Sequence, residues 1–140
     1  MTRVVVDTNV LVSALRSDRG APALVLSRIV EGRIVWCLSS LLVAGFILAE
    51  YASVLSRAKF QGIERRKIAA FLALATAGEM TITTTSVTDS RDEPDNRFLE
   101  CVEAAQADYL VTGNTHHFPK KWKQTSIVTP RQLILALKES

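Results

Sequence analysis

Four carboxylates in this chain stand where carboxylates could share a cation: Asp7, Glu50, Asp92 and Asp95. Asp7 directly follows the run Val4-Val5-Val6, where a buried strand must end and the chain must turn. Carboxylates gathered at one place repel and raise one another's pKa unless a cation neutralises them. An all-oxygen cluster of that kind suits a hard ion such as Mg²⁺ or Mn²⁺, which keeps several waters and binds substrate phosphates. Such an ion can activate a water and stabilise charge on a phosphate oxygen, so the chemistry indicated is attack on a phosphoester. Taken singly, each residue has a plainer reading. Asp7 is an ordinary turn residue, Asp95 a helix cap, and Glu50 part of a solvated helix face.

Charge distribution agrees with a polyanionic substrate. The formal net charge is only +3, but with the four carboxylates set aside, ten acidic residues of the 14 remain against 17 Lys and Arg. The surface around the cluster is then distinctly basic, which draws a phosphate backbone toward a local acidic pocket. At 140 residues, 48% hydrophobic and 22% charged, the chain reads as one globular, soluble domain over 1–140. Its longest apolar stretch, Leu41 to Ala49, interrupted only by Gly45, is far short of the roughly 20 residues of a membrane span. The start, Met1-Thr2-Arg3, runs straight into a strand with no signal-peptide pattern, so a cytoplasmic location is expected. Cys37 and Cys101 match no metal or redox spacing and read as buried free thiols.

The elements that must position these groups alternate between short apolar strands and helices. Val4 to Val6 reads as the central strand of a parallel sheet, because a continuous β-branched run is buried on both faces. A short helical turn over Val10 to Leu15, a loop at Ser17 to Gly20, and a helix opened by Pro22 and stopped at Gly32 follow, with Leu24, Val25, Ile29 and Val30 as the helix's apolar stripe. Ile34 to Cys37 is a second strand, and Ser39 or Ser40 caps a helix reaching about Ser56. Glu64 to Ala77 is a helix and Met80 to Thr85 a strand. Asp95 to Ala105 is a helix with Phe98, Leu99 and Val102 facing inward. Tyr109 to Thr112 and Ser126 to Val128 are the last strands, and Thr129-Pro130 caps a final helix. This alternation is the signature of an α/β fold.

Parallel strands joined by helices end at one edge of their sheet, and ligands bind outside that edge. Asp7, Asp92, Asp95, Thr112 and Asn114 all follow strands and can meet there. Glu50 reaches the same edge only if its depth along its helix allows. Asp108 precedes a strand and belongs to the opposite edge, so it reads as structural. Lys120, Lys121 and Lys123, with Trp122 among them, follow the fourth strand near the site edge. They can bind an RNA backbone with the indole stacking on a base, or they can be a solvated lysine run around a packed Trp. His116 and His117 read as loop residues.

Four blocks, in order, resemble the PIN domain family, in particular the members found as toxins of toxin–antitoxin pairs: Asp7-Thr8-Asn9-Val10; Leu48-Ala49-Glu50-Tyr51; Arg91 to Glu100, containing Asp92 and Asp95; and Ala107 to Asn114. The resemblance implies a three-layer α/β/α sandwich with a central parallel sheet and a ribonuclease dependent on Mg²⁺ or Mn²⁺. It carries the family's catalytic acids onto Asp7, Glu50 and Asp95, with Asp92 as a further metal ligand. Asn9 and Thr112 become polar support for the metal-binding carboxylates or their waters. The expected cleavage leaves a 5′-phosphate and a 3′-hydroxyl. The implied partners are RNA and an antitoxin protein, with a homodimer among the assemblies open to it and no membrane. Where many relatives carry a fourth Asp after Thr-Gly, this chain has Asn114, which can hold a water but carries no charge.

Two other readings compete. A PIN-like module that binds RNA or protein without cleaving is favoured by the missing charge at Asn114. A haloacid dehalogenase-type phosphatase also starts from an Asp after a central strand, but it needs a second Asp where this chain has Asn9.

Overall fold

The structure, a computed structural model, describes residues 1–39, 79–81 and 93–139. Its strands are β1 (Arg3–Val6), β2 (Val35–Ser39), β3 (Glu79–Thr81), β4 (Tyr109–Val111), β5 (Lys121–Trp122) and β6 (Thr125–Val128). The described helices are α1 (Thr8–Arg16), α2 (Ala21–Val30), α3 (Glu93–Ala105) and α4 (Pro130–Glu139). They form one sheet in the order β3-β2-β1-β4-β6-β5. β1 is parallel to both its neighbours, β2 and β4. β3 and β6 extend the parallel sheet on either side, and only the short edge strand β5 is antiparallel.

β1 is central because both its faces are apolar. Val4 and Val6 pack into one core with Val10, Leu11, Leu15, Val25, Trp36 and Leu133. Val5 points the other way, into a second core with Cys37, Phe98, Leu99, Val102 and Leu110. The strand period of two thus splits one Val run between two helical layers. α1, α2 and α4 cover the first face and α3 the second, giving an α/β/α sandwich.

The connections also explain the layering. From β1 the chain passes through α1 and α2 to β2 on one side. After β3 it returns through α3 to β4, on the other side of β1. Parallel crossovers keep one hand, so connections running in opposite directions place their helices on opposite faces. The strand order therefore reverses between β1 and β4, the kind of switch point where open α/β sheets form a crevice.

Several local expectations are corrected. α1 begins at Thr8, two residues earlier than the apolar pattern, because the Asp7 carboxylate caps it. In α2, Leu24 and Val30 are exposed, and the inward face is Val25, Leu26 and Ile29. Gly32 does end that helix, at a φ of +71°. The Arg33 and Glu31 N–H groups return to the carbonyls of Arg28 and Ser27, a closure that favours glycine in the left-handed conformation. Ser39 ends β2 and is not a helix cap. α3 starts at Glu93, so Asp95 lies within its first turn and not at the cap. β5 was not expected from sequence, being only two residues long. The expected helix reaching about Ser56, the expected helix over Glu64 to Ala77 and the expected strand beyond Thr81 fall on residues outside the described ones. The final helix is as expected: Thr129 Oγ1 accepts from the Gln132 N–H and Gln132 Oε1 accepts from the Thr129 N–H, a reciprocal cap.

Cys37 and Cys101 are free and buried. The Cys101 thiol is pushed up to about 12, first by desolvation and then by the neighbouring Cys37, against a lowering hydrogen bond from Ser39. Below the ordinary value of 9.0 the thiol is neutral in folded and unfolded chains alike. Between 9 and about 12 the unfolded chain ionises and the folded one does not, so stability falls as pH rises. Wild type should therefore lose stability above pH 9 more steeply than Cys101→Ala, measured by urea unfolding across that range. Parallel curves for the two proteins would contradict this.

Candidate active site

Asp7 sits one residue beyond β1, at the carboxyl edge of the sheet and at the switch point. Its N–H donates to the Val111 carbonyl at 2.8 Å, which continues the β1–β4 ladder, while its own carbonyl accepts from Val10 and Leu11. One residue thus ends a strand and starts a helix. Its side chain is only 6% exposed.

Two donors fix the carboxylate. The Asn9 N–H donates to Oδ1 at 3.2 Å, and the Thr112 hydroxyl donates to Oδ2 at 2.7 Å. The Thr112 hydroxyl in turn accepts the Asn114 N–H at 3.0 Å. Because a hydroxyl has one proton, that incoming N–H turns it to donate toward Asp7. Thr112 itself is fully buried, and its N–H bonds the Val128 carbonyl. The partial positive charge at the start of α1 also favours an anion at Asp7. An ionised carboxylate offers about four lone-pair positions, and these described donors engage two of them. An oxygen donor with lone pairs to spare, aimed by a hydroxyl and an amide, fits a hard divalent cation.

The register aligns further polar groups with Asp7. Val6 pairs with Val111, so Asp7 is level with Thr112. Val4 pairs with Trp36, so Asp7 is level with Ser39, which is 2% exposed. This row lies on the face covered by α3. The far end of α3 is at the entry edge, where the Ala105 carbonyl accepts from Arg3 Nε at 2.9 Å. Its first turn, containing Asp95, is consequently at the carboxyl edge with Asp7. Buried Asn96 and Glu100 follow on the same helix, with Glu100 paired to Arg97 at 2.9 Å. Sequence reasoning missed Ser39, Asn96 and Glu100. The only available signal was a pair of polar residues spaced i, i+4 beside an apolar stripe.

The other expected residues divide. Glu50 and Asp92 lie outside the described residues. Asn9 and Thr112 adjoin Asp7 as support, and Asn114 reaches it through its backbone N–H. Asp108 is at the opposite edge, accepting the Arg3 N–H at 2.8 Å. The placing of the lysines near the site is corrected for Lys123. β5 runs antiparallel to β6, with Trp122 opposite Thr125, so the turn at Lys123 lies level with the start of β4. Lys123 binds Glu103 near the end of α3 and lies over the Trp122 ring. Trp122 is buried in the α3-side core, so its indole is a packing group. Lys120 and Lys121 are exposed, along β5 and the residue before it.

The PIN domain family model matches residues 3–116. The chain belongs to the PIN domain family. The match holds all four sequence blocks, from Asp7 through Asn114, and most of the sheet. PIN domains are generally nucleases that act on RNA and use divalent metal ions. No curated protein and no solved structure shows a significant match to the chain. Beyond residue 116 the chain continues as β5, β6 and α4, with β6 paired to β4 in the same sheet. No described helix is long and apolar enough to cross a membrane.

Proposed function

We propose that this PIN domain is a Mg²⁺- or Mn²⁺-dependent endoribonuclease, and that it serves as the toxin of a toxin–antitoxin pair in the cytoplasm. The observation that carries the catalytic reading is the buried Asp7 carboxylate at the β1–β4 switch point, aimed by Thr112 and the Asn9 N–H. Asp7, Glu50, Asp92 and Asp95 are the proposed holders of the ion. When bound, the ion supplies an activated water and charge stabilisation at the scissile phosphate. The chain's own part is to hold its carboxylates oriented. Thr112 does this at Oδ2 of Asp7, and the start of α1 adds a favourable field. RNA is the proposed substrate and an antitoxin protein the proposed partner, both supported by family membership, with a homodimer among the assemblies open to it.

The test incubates purified protein with labelled single-stranded RNA in Mg²⁺, Mn²⁺ or chelator. Cleavage with metal and none with chelator is expected. If no metal condition gives cleavage but RNA is bound, the binding-module reading takes its place. That second reading rests on Asn114, an amide where a fourth carboxylate would add charge. Asn114→Asp should therefore tighten metal binding, seen as a lower Mn²⁺ concentration at half-maximal cleavage. An unchanged metal requirement would show that residue 114 acts only through its backbone N–H.

A further inference from the structure

Next to Asp7, a cleft of about 270 Å³ opens between the starts of α1, α2 and α4. Asn9, Val10, Ser13, Pro22, Pro130 and Arg131 are among its lining residues, and Gly113 borders it from the loop after β4. Asp7 does not itself line the cleft, but residues beside the candidate active site in the chain do. Asn9 donates its N–H to Asp7, and Gly113 joins Thr112 to Asn114, the two residues whose hydrogen bonds lead to that carboxylate.

Arg131 gives the cleft its character. It is the second residue of α4, exposed, and among the described residues none forms an ion pair with it. The first turn of α4 holds no acidic residue. A helix start carries partial positive charge and favours anions, so a cation there is electrostatically misplaced. An anion docked against Arg131 relieves that. Among the other lining residues, Val10, Pro22 and Pro130 are apolar and suit the face of a base or a ribose, while Asn9, Ser13 and Thr129 are polar.

We infer that this cleft seats the nucleotide flanking the scissile phosphate of a single-stranded RNA, with its phosphate on Arg131 and its base or sugar against Val10, Pro22 and Pro130. The inference rests on the ribonuclease reading and supplies the substrate path from the site. Arg131 would be a substrate-binding residue, and the walls would set which base is accepted there.

The experiment measures binding of a labelled single-stranded RNA of mixed sequence by fluorescence anisotropy, in chelator so that no cleavage intervenes, over a range of salt. Arg131→Ala should bind several-fold more weakly, and its log K against log salt slope should be shallower by about 0.7, the loss of one phosphate contact on a single strand. Its urea midpoint should be unchanged or higher, since a cation leaves the positive end of α4. Ser13→Phe, at an exposed position, fills the cleft and should weaken binding several-fold with no change of slope. If wild type binds and both variants bind equally at every salt concentration, the cleft is not on the RNA path, while the ribonuclease reading survives. If wild type neither binds nor cleaves RNA, both readings fall together.

Discussion

Asp7→Asn is expected to lower metal-dependent RNA cleavage by on the order of 10²–10³-fold, the scale of losing one group that stabilises transition-state charge. The fold should survive, because Asn caps a helix about as well as Asp and its carbonyl can still accept the Asn9 N–H. The cost arises on the other oxygen. An amide NH₂ in place of Oδ2 would face the Thr112 hydroxyl, which already accepts the Asn114 N–H. The hydroxyl proton then loses its acceptor in a fully buried position, costing about 1–3 kcal/mol. Relief of repulsion with the other carboxylates proposed to hold the ion works against that cost, so the net loss of stability should be under about 2 kcal/mol. Cleavage rates and urea midpoints measure the two effects separately. Asp108→Asn, at the opposite edge, is the control and should cleave like wild type. Equal cleavage by Asp7→Asn would trace the activity to a contaminating nuclease and remove the catalytic assignment.

Thr112→Val should destabilise the protein by about 1–3 kcal/mol and slow cleavage by about 10–100-fold. The substitution keeps the shape but removes the hydroxyl. The Asn114 N–H loses its acceptor and Asp7 Oδ2 loses its donor. The carboxylate can then swing, so the oxygen offered to a metal is no longer held in place. Thr112→Ser restores the donor and should recover most of the lost activity. If the valine variant were inactive and serine gave no rescue, the hydroxyl alone would not suffice and the Thr methyl would be needed beside it. An unchanged cleavage rate for the valine variant would mean that Thr112 does not position Asp7.

Much was legible in the sequence because it was local. Val4-Val5-Val6 specified a strand buried on both faces by composition alone. The cap at Thr129, the stop at Gly32 and the inward face of α3 follow from short-range chemistry. The placement of Asp7 at a carboxyl edge required only that its strand be parallel. The four family blocks named the family, which the match over residues 3–116 bears out.

Tertiary structure decided what depends on register and crossover direction. No sequence pattern states that Asp7 is level with Ser39 and Thr112, because strand alignment is set by the pairing of Val6 with Val111 and Val4 with Trp36. Sequence proximity placed Lys123 near the site, but the antiparallel turn of β5 carries it to the other edge. Trp122 was open to either role from composition, and its burial assigns it to the core. The cleft at Arg131 is the clearest case, since it joins residues near positions 9, 22, 113 and 131. They meet because α1, α2 and α4 all pack on one face of the sheet, around Val4, Val6 and Leu133.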